Sequence, residues 1–83
     1  MHRVASVESL AGYRINLEFT DGLRGEIDLS DMIGKGVFEQ LRDQTEFDKV
    51  YVDPESHTVA WPGEIDLCPD SLYDEILSKQ KAA

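Results

Sequence analysis

The stretch from Tyr13 to Leu29, YRINLEFTDGLRGEIDL, leaves the chain that contains it few ways to fold. Tyr13, Ile15, Leu17 and Phe19 alternate with Arg14, Asn16 and Glu18, and after the turn Leu23, Ile27 and Leu29 continue the pattern against Arg24, Glu26 and Asp28. A period of two sustained over such a length marks two half-buried strands. The turn fixes their register. A two-residue Asp21-Gly22 turn would pair Thr20 with Leu23 and put the two apolar rows on opposite faces, where one core cannot cover both. A three-residue loop of Thr20, Asp21 and Gly22, with Gly22 in the left-handed conformation of a bulged turn, pairs Phe19 with Leu23 and Ile15 with Ile27. The outer face then sets Glu18 opposite Arg24 and Arg14 opposite Asp28, opposite-charge pairs that contribute ~0.2–1 kcal/mol each.

The rest of the chain is read around this hairpin. HRVASVES, residues 2–9, is β-compatible and predicts an edge strand, followed by a turn at LAG. In SDMIGKGVFEQLRD, Ser30 or Asp31 can cap a helix, and a short helical stretch around Val37–Arg42 follows two glycines, with Phe38 and Leu41 inward. Thr45 is expected to cap a further turn containing Phe47. KVYV returns to extended chain, DPESH turns, and TVAW forms the next strand, giving a second hairpin with Trp61 inward. The C-terminal segment predicts a helix with Pro69 at its first position, Asp70 and Asp74 near its positive end, Lys79 and Lys81 near its negative end, and Leu72, Ile76 and Leu77 as its apolar stripe. Residues 79–83 are expected to fray. Strands, short helices, strands and a final helix argue for an α+β fold, a small mainly antiparallel sheet of about five strands, in one domain over residues 1–83.

Eighty-three residues bury only roughly 60–65% of the surface the unfolded chain exposes, so little core is spare. The lone Cys68 has no internal disulfide partner and no leader-like segment opens the chain, which points to a cytoplasmic setting. No apolar run approaches the ~18–20 residues that cross a bilayer. The charge is uneven. Residues 1–42 carry 5 basic and 7 acidic groups, residues 43–83 carry 3 and 10, and the net is -9. Such a field repels phosphate backbones, so direct nucleic-acid binding is not expected, whereas a basic protein partner suits it.

GEIDL occurs twice, at residues 25–29 and 63–67. A duplication would extend to a whole supersecondary unit, and the flanks do not match. Asp28, Asp31, Asp66 and Asp70, with Glu26 and Glu64 nearby, are the candidate ligands of a divalent-cation or acid–base site at neighbouring strand ends. Capping and solvation of the outer face explain the same carboxylates more simply. Negative surroundings raise the Cys68 thiol pKa while a helix start lowers it, and a small packed thiol is the expected state. His2 and His57 are expected at the surface. The glycines make no nucleotide fingerprint, so no cofactor is expected and no catalytic residue is singled out. Tyr51 and Tyr73 are the candidate aromatic anchors for a partner, unless both are ordinary half-buried tyrosines. An edge strand with unpaired backbone groups also allows self-association.

The strings FTDGLRGEIDLSDMI, VFEQLRDQTEFDKVYVD and TVAWPGEIDLCPDSLYDEI resemble the small bacterial family catalogued as domain of unknown function 2442. The pattern rests on Phe19, Asp21 and Gly22; Ile27, Asp28 and Leu29; Phe47; Trp61 and Pro62; and Asp66, Leu67, Pro69, Asp70, Leu72 and Tyr73. The resemblance implies a compact α+β fold of one sheet with short helices, and no established activity. Some relatives carry an added helix-turn-helix domain, for which this chain shows no segment. Many are encoded beside another small protein in arrangements resembling toxin and antitoxin pairs. The expectation is therefore a small protein-interaction module, one member of such a pair. The alternative is a carboxylate-based metal-binding protein or enzyme.

Overall fold

Alternation from Tyr13 to Leu29 gives two strands of a meander an apolar inner face. The computed structural model describes residues 2–81, of which Val4–Leu10 (β1), Arg14–Phe19 (β2) and Arg24–Asp28 (β3) form an antiparallel sheet in that order. β2 and β3 pair Ile15 with Ile27, Arg14 with Asp28 and Glu18 with Arg24. The expected three-residue loop closes them: the Phe19 amide donates to the Leu23 carbonyl at 2.7 Å, the Gly22 amide to the Phe19 carbonyl at 3.0 Å, and Gly22 has φ +95°. One outer-face expectation differs. Arg14 stands opposite Asp28 but forms its ion pair diagonally with Glu26 at 3.0 Å, because the Asp28 carboxylate turns back to accept the Ser30 amide at 2.8 Å. Glu18 and Arg24 do meet, at 3.4 Å.

After β3 the chain makes turns through residues 30–34, then a 3-10 helix, Gly36–Leu41, and one turn of α-helix, Gln44–Phe47 (α1). The cap of α1 is Asp43, whose carboxylate accepts the Thr45 amide at 2.9 Å; Thr45, expected as the cap, lies inside the helix. Tyr51–Val52 (β4), Val59–Trp61 (β5) and Ile65–Leu67 (β6) form a second antiparallel sheet in that order. The second hairpin is thus present and extended by β6. In place of one sheet of about five strands there are six strands in two sheets. They adjoin where β1 runs beside β4, joined by the Val4 amide to the His57 carbonyl at 2.9 Å. The β1 edge is therefore not plain along its length: Ser9 Oγ also donates to Asp48 Oδ1 at 2.8 Å.

One core lies between the elements. Ile15, Leu17, Phe19 and Ile27 from the first sheet, Val59, Trp61, Ile65 and Leu67 from the second, and Leu41 and Phe47 from the connection are all buried. Pro69–Lys81 (α2) closes it with Leu72 and Ile76, while Leu77 is only half-buried and Tyr73 joins the stripe in its place. No charged or polar residue is buried among those described. Trp61 brings the one buried side-chain hydrogen bond among the described residues, from its indole Nε1 to the Phe47 carbonyl at 2.8 Å. The helix passes so close to β3 that a Cβ placed on Gly25 would lie 2.8 Å from Ile76 Cγ2. At its far end Lys79 Nζ donates to the Glu26 carbonyl at 3.3 Å and Gln80 Nε2 to the Arg24 carbonyl at 3.4 Å, two groups that face outward from the β2–β3 ladder. The helix runs through Lys81; the last part of the segment expected to fray, residues 82–83, lies outside the described residues.

Candidate functional site

The two GEIDL strings occupy different places on their strands. In the first, Gly25 to Asp28 belong to β3 and Gly25 is extended, its missing side chain making room for Ile76. In the second, Gly63 and Glu64 form the turn, with φ +95° and +65°, and only Ile65, Asp66 and Leu67 are strand. What they share is Ile27 and Leu29 on one side and Ile65 and Leu67 on the other, all buried. A helix follows directly only after the second string, as residues 30–34 after the first are turns.

Both strand ends open on one cleft of about 400 Å³ beneath the start of α2. Its apolar lining includes Leu29, Met32, Leu67 and Leu72; its polar rim is Asp28, Asp31, Cys68, Ser71 and Glu75. Cys68 is exposed here and not packed as expected. The amides of Ser71 and Asp70 at the helix start hold its thiol below the usual value, against partial burial and the Asp70 charge. The Ser30 amide holds the Asp28 carboxyl low in the same way. Of the four candidate aspartates the cleft gathers two, Asp28 and Asp31. Asp66 points from the outer face of the second sheet, and Asp70 accepts the His2 amide at 3.1 Å. Among the described residues no three His, Cys, Asp or Glu side chains come together at metal-binding geometry.

The two candidate tyrosines differ. Tyr51 is 42% exposed, on a groove of about 480 Å³ shared with Asp53, Ala60, Glu64 and Asp66. Tyr73 is engaged within the chain: its ring packs edge-on to Phe19 at 4.9 Å and stacks on His2 at 3.6 Å, and its hydroxyl donates to Asp21 Oδ2 at 2.5 Å. His2, expected as a frayed surface residue, is therefore part of a clasp that ties the hairpin loop to α2. The residues that carried the family resemblance meet at this clasp, since Phe19 and Asp21 bear on Tyr73 and Asp70 holds His2. The family pattern matches residues 4–78. The chain belongs to DUF2442, a family of proteins of unknown function. No curated protein matches it. A crystal structure of a Nitrosomonas europaea protein described as a putative DNA-binding protein superposes with a TM-score of 0.79 at 23% identity, covering 98% of this chain and 52% of that one. At that identity the likeness shows the fold alone, and this DUF2442 chain spans about half the neighbour's length.

The clasp has a pH signature. The Tyr73 hydroxyl, seconded by the Leu23 amide, holds the Asp21 carboxyl below its usual range, and the same bond with partial burial pushes the Tyr73 phenol up. A folded carboxyl pKa below the unfolded value of about 3.9 gives stability that is present above that pH and lost as pH falls through the folded pKa. A raised phenol gives stability present below about pH 10 and lost as pH rises through its folded value. Tyr73→Phe is therefore expected to lower the urea midpoint at pH 7 and to flatten both limbs of its pH dependence. Midpoints of the two proteins between pH 2.5 and 11 check this; parallel curves would show that the bond does not couple the groups.

Proposed function

We propose that this domain is a small cytoplasmic protein-interaction module, one member of a two-protein bacterial pair, whose acidic second half receives a basic surface of its partner. One observation carries the reading. All four ion pairs of the described residues, Arg14–Glu26, Arg24–Glu18, Arg42–Glu39 and Lys49–Glu46, lie at or before Lys49. Beyond Lys49 the carboxylates Asp53, Glu55, Glu64, Asp66, Asp70, Asp74 and Glu75 form no ion pair among the described residues. Their field is uncompensated and, with no charged residue buried, faces solvent. Complementary charge of this kind speeds encounter and selects partners, and salt screens it over about 8 Å at physiological ionic strength.

Direct DNA contact is a weaker reading for these residues, although the Nitrosomonas neighbour is described in those terms. A net charge of -9 opposes a phosphate backbone. A membrane role gains no support either: no helix among the described residues is long and apolar enough to cross one. The tagged protein, co-expressed with the products of its neighbouring genes and bound at low salt, is expected to retain one of them and release it at high salt. Retention of none at low salt would overturn the reading.

A further inference from the structure

Pairing across the second sheet lines up three residues on its outer face. Tyr51 of β4 stands opposite Ala60 of β5, which stands opposite Asp66 of β6. The small Ala60 side chain makes a floor, 5% exposed although it faces away from the core, and the 42% exposed Tyr51 ring stands at one side of it. Asp66 stands at the other side, with Glu64 at the turn and Asp53 beyond β4 completing the groove. None of these carboxylates takes part in the four ion pairs of the described residues. An aromatic face and unneutralised carboxylates on either side of a shallow floor are what a planar cation requires: the ring quadrupole attracts its face and the carboxylates accept its N–H groups.

We propose that this groove is the seat of an arginine side chain presented by the basic protein partner. The inference rests on the interaction-module reading and gives it an address. Guanidinium suits the groove better than ammonium, because it is planar, weakly hydrated and donates in a fork that matches a carboxylate while its face lies on a ring. A divalent cation would leave Tyr51 without a role. A second copy of this chain would have to bring one -9 surface against another.

Titration of the 15N-labelled protein with acetyl-arginine methylamide at low salt tests the groove directly, with the lysine analogue and Mg²⁺ as comparisons. Saturable shifts are expected at the amides of Tyr51, Ala60, Glu64 and Asp66, with the arginine probe binding at least threefold more tightly than the lysine probe. Tyr51→Ala and Asp66→Asn should each weaken arginine binding at least fivefold, while Tyr51→Phe, which keeps the ring, should stay within twofold of wild type. Shifts spread over carboxylates elsewhere, equal shifts with Mg²⁺, concentration-dependent shifts without any probe, or an undiminished response in Tyr51→Ala would each overturn the proposal. The two levels are separable in the co-purification. A partner held equally by wild type and Tyr51→Ala overturns the groove and leaves the module standing, whereas selective arginine binding with no partner retained overturns the module reading alone.

Discussion

Replacing Trp61 by Ala is expected to remove at least about a quarter of the domain's stability. The indole is 1% exposed against the helical connection and packs on Phe47 and Phe38 with ring centres 5.7 and 6.5 Å away. Truncating a buried tryptophan costs about 3–5 kcal/mol through lost transfer energy and the cavity left behind. A domain of this length holds only roughly 4–12 kcal/mol in total. Trp61→Phe is the milder comparison. It keeps most of the packing but removes the bond to the Phe47 carbonyl, whose remaining partner is the Val50 amide at 3.3 Å, and should cost roughly 1–3 kcal/mol. Urea titration followed by far-UV circular dichroism reads both variants, since the fluorophore itself is removed. A loss below 1 kcal/mol in Trp61→Ala would contradict the placement of this ring at the centre of the core.

Gly25→Ala gives the second large effect, and here the sign is the test. On strand propensity alone a glycine inside β3 should be improved by alanine, by roughly 0.5–1 kcal/mol. The packing requires the opposite. The added methyl would lie 2.8 Å from Cγ2 and 3.1 Å from Cγ1 of Ile76, a β-branched residue with one favoured rotamer in a helix and little freedom to yield. Overpacking of this kind costs about 1–3 kcal/mol. Ile76→Ala alone should cost about 2–5 kcal/mol by cavity formation. The double variant should be more stable than the sum of the two losses by roughly 0.5–3 kcal/mol, since each change relieves the defect of the other. Additive losses would mean that helix and strand do not touch at this point.

The first hairpin was legible to the residue, because alternation, turn chemistry and outer-face charge all demanded one register. Trp61 inward, the C-terminal helix and the α+β class followed from equally local signals. Two sheets in place of one were not legible, since strands of two or three residues such as β4 and β6 give too little periodicity to assign partners. The glycine of each GEIDL string has its own reason, close approach at Gly25 and a positive φ at Gly63, and identical letters conceal that difference. His2 was misplaced because its partners, Tyr73 and Asp70, lie some seventy positions away. The signal that could have found the clasp was the joint appearance of Phe19, Asp21, Asp70 and Tyr73 in one family pattern. Of the candidate carboxylates, Asp28 and Asp31 line one cleft, and proximity to strand ends carries no information about which face Asp66 and Asp70 take.

The bonds from Lys79 and Gln80 to the carbonyls of β3 bear on how the protein behaves when it is warmed short of melting. They are long, made by flexible side chains, and anchored in the last turns of a helix, the part of an element that opens first. When those turns loosen, the outward carbonyls of Arg24 and Glu26 lose their cover while the rest of the sheet is still formed. An intact strand with a bare edge is the template for intermolecular aggregation. Aggregation on warming is therefore expected to begin at this edge, opposed by mutual charge repulsion, before the core around Trp61 gives way.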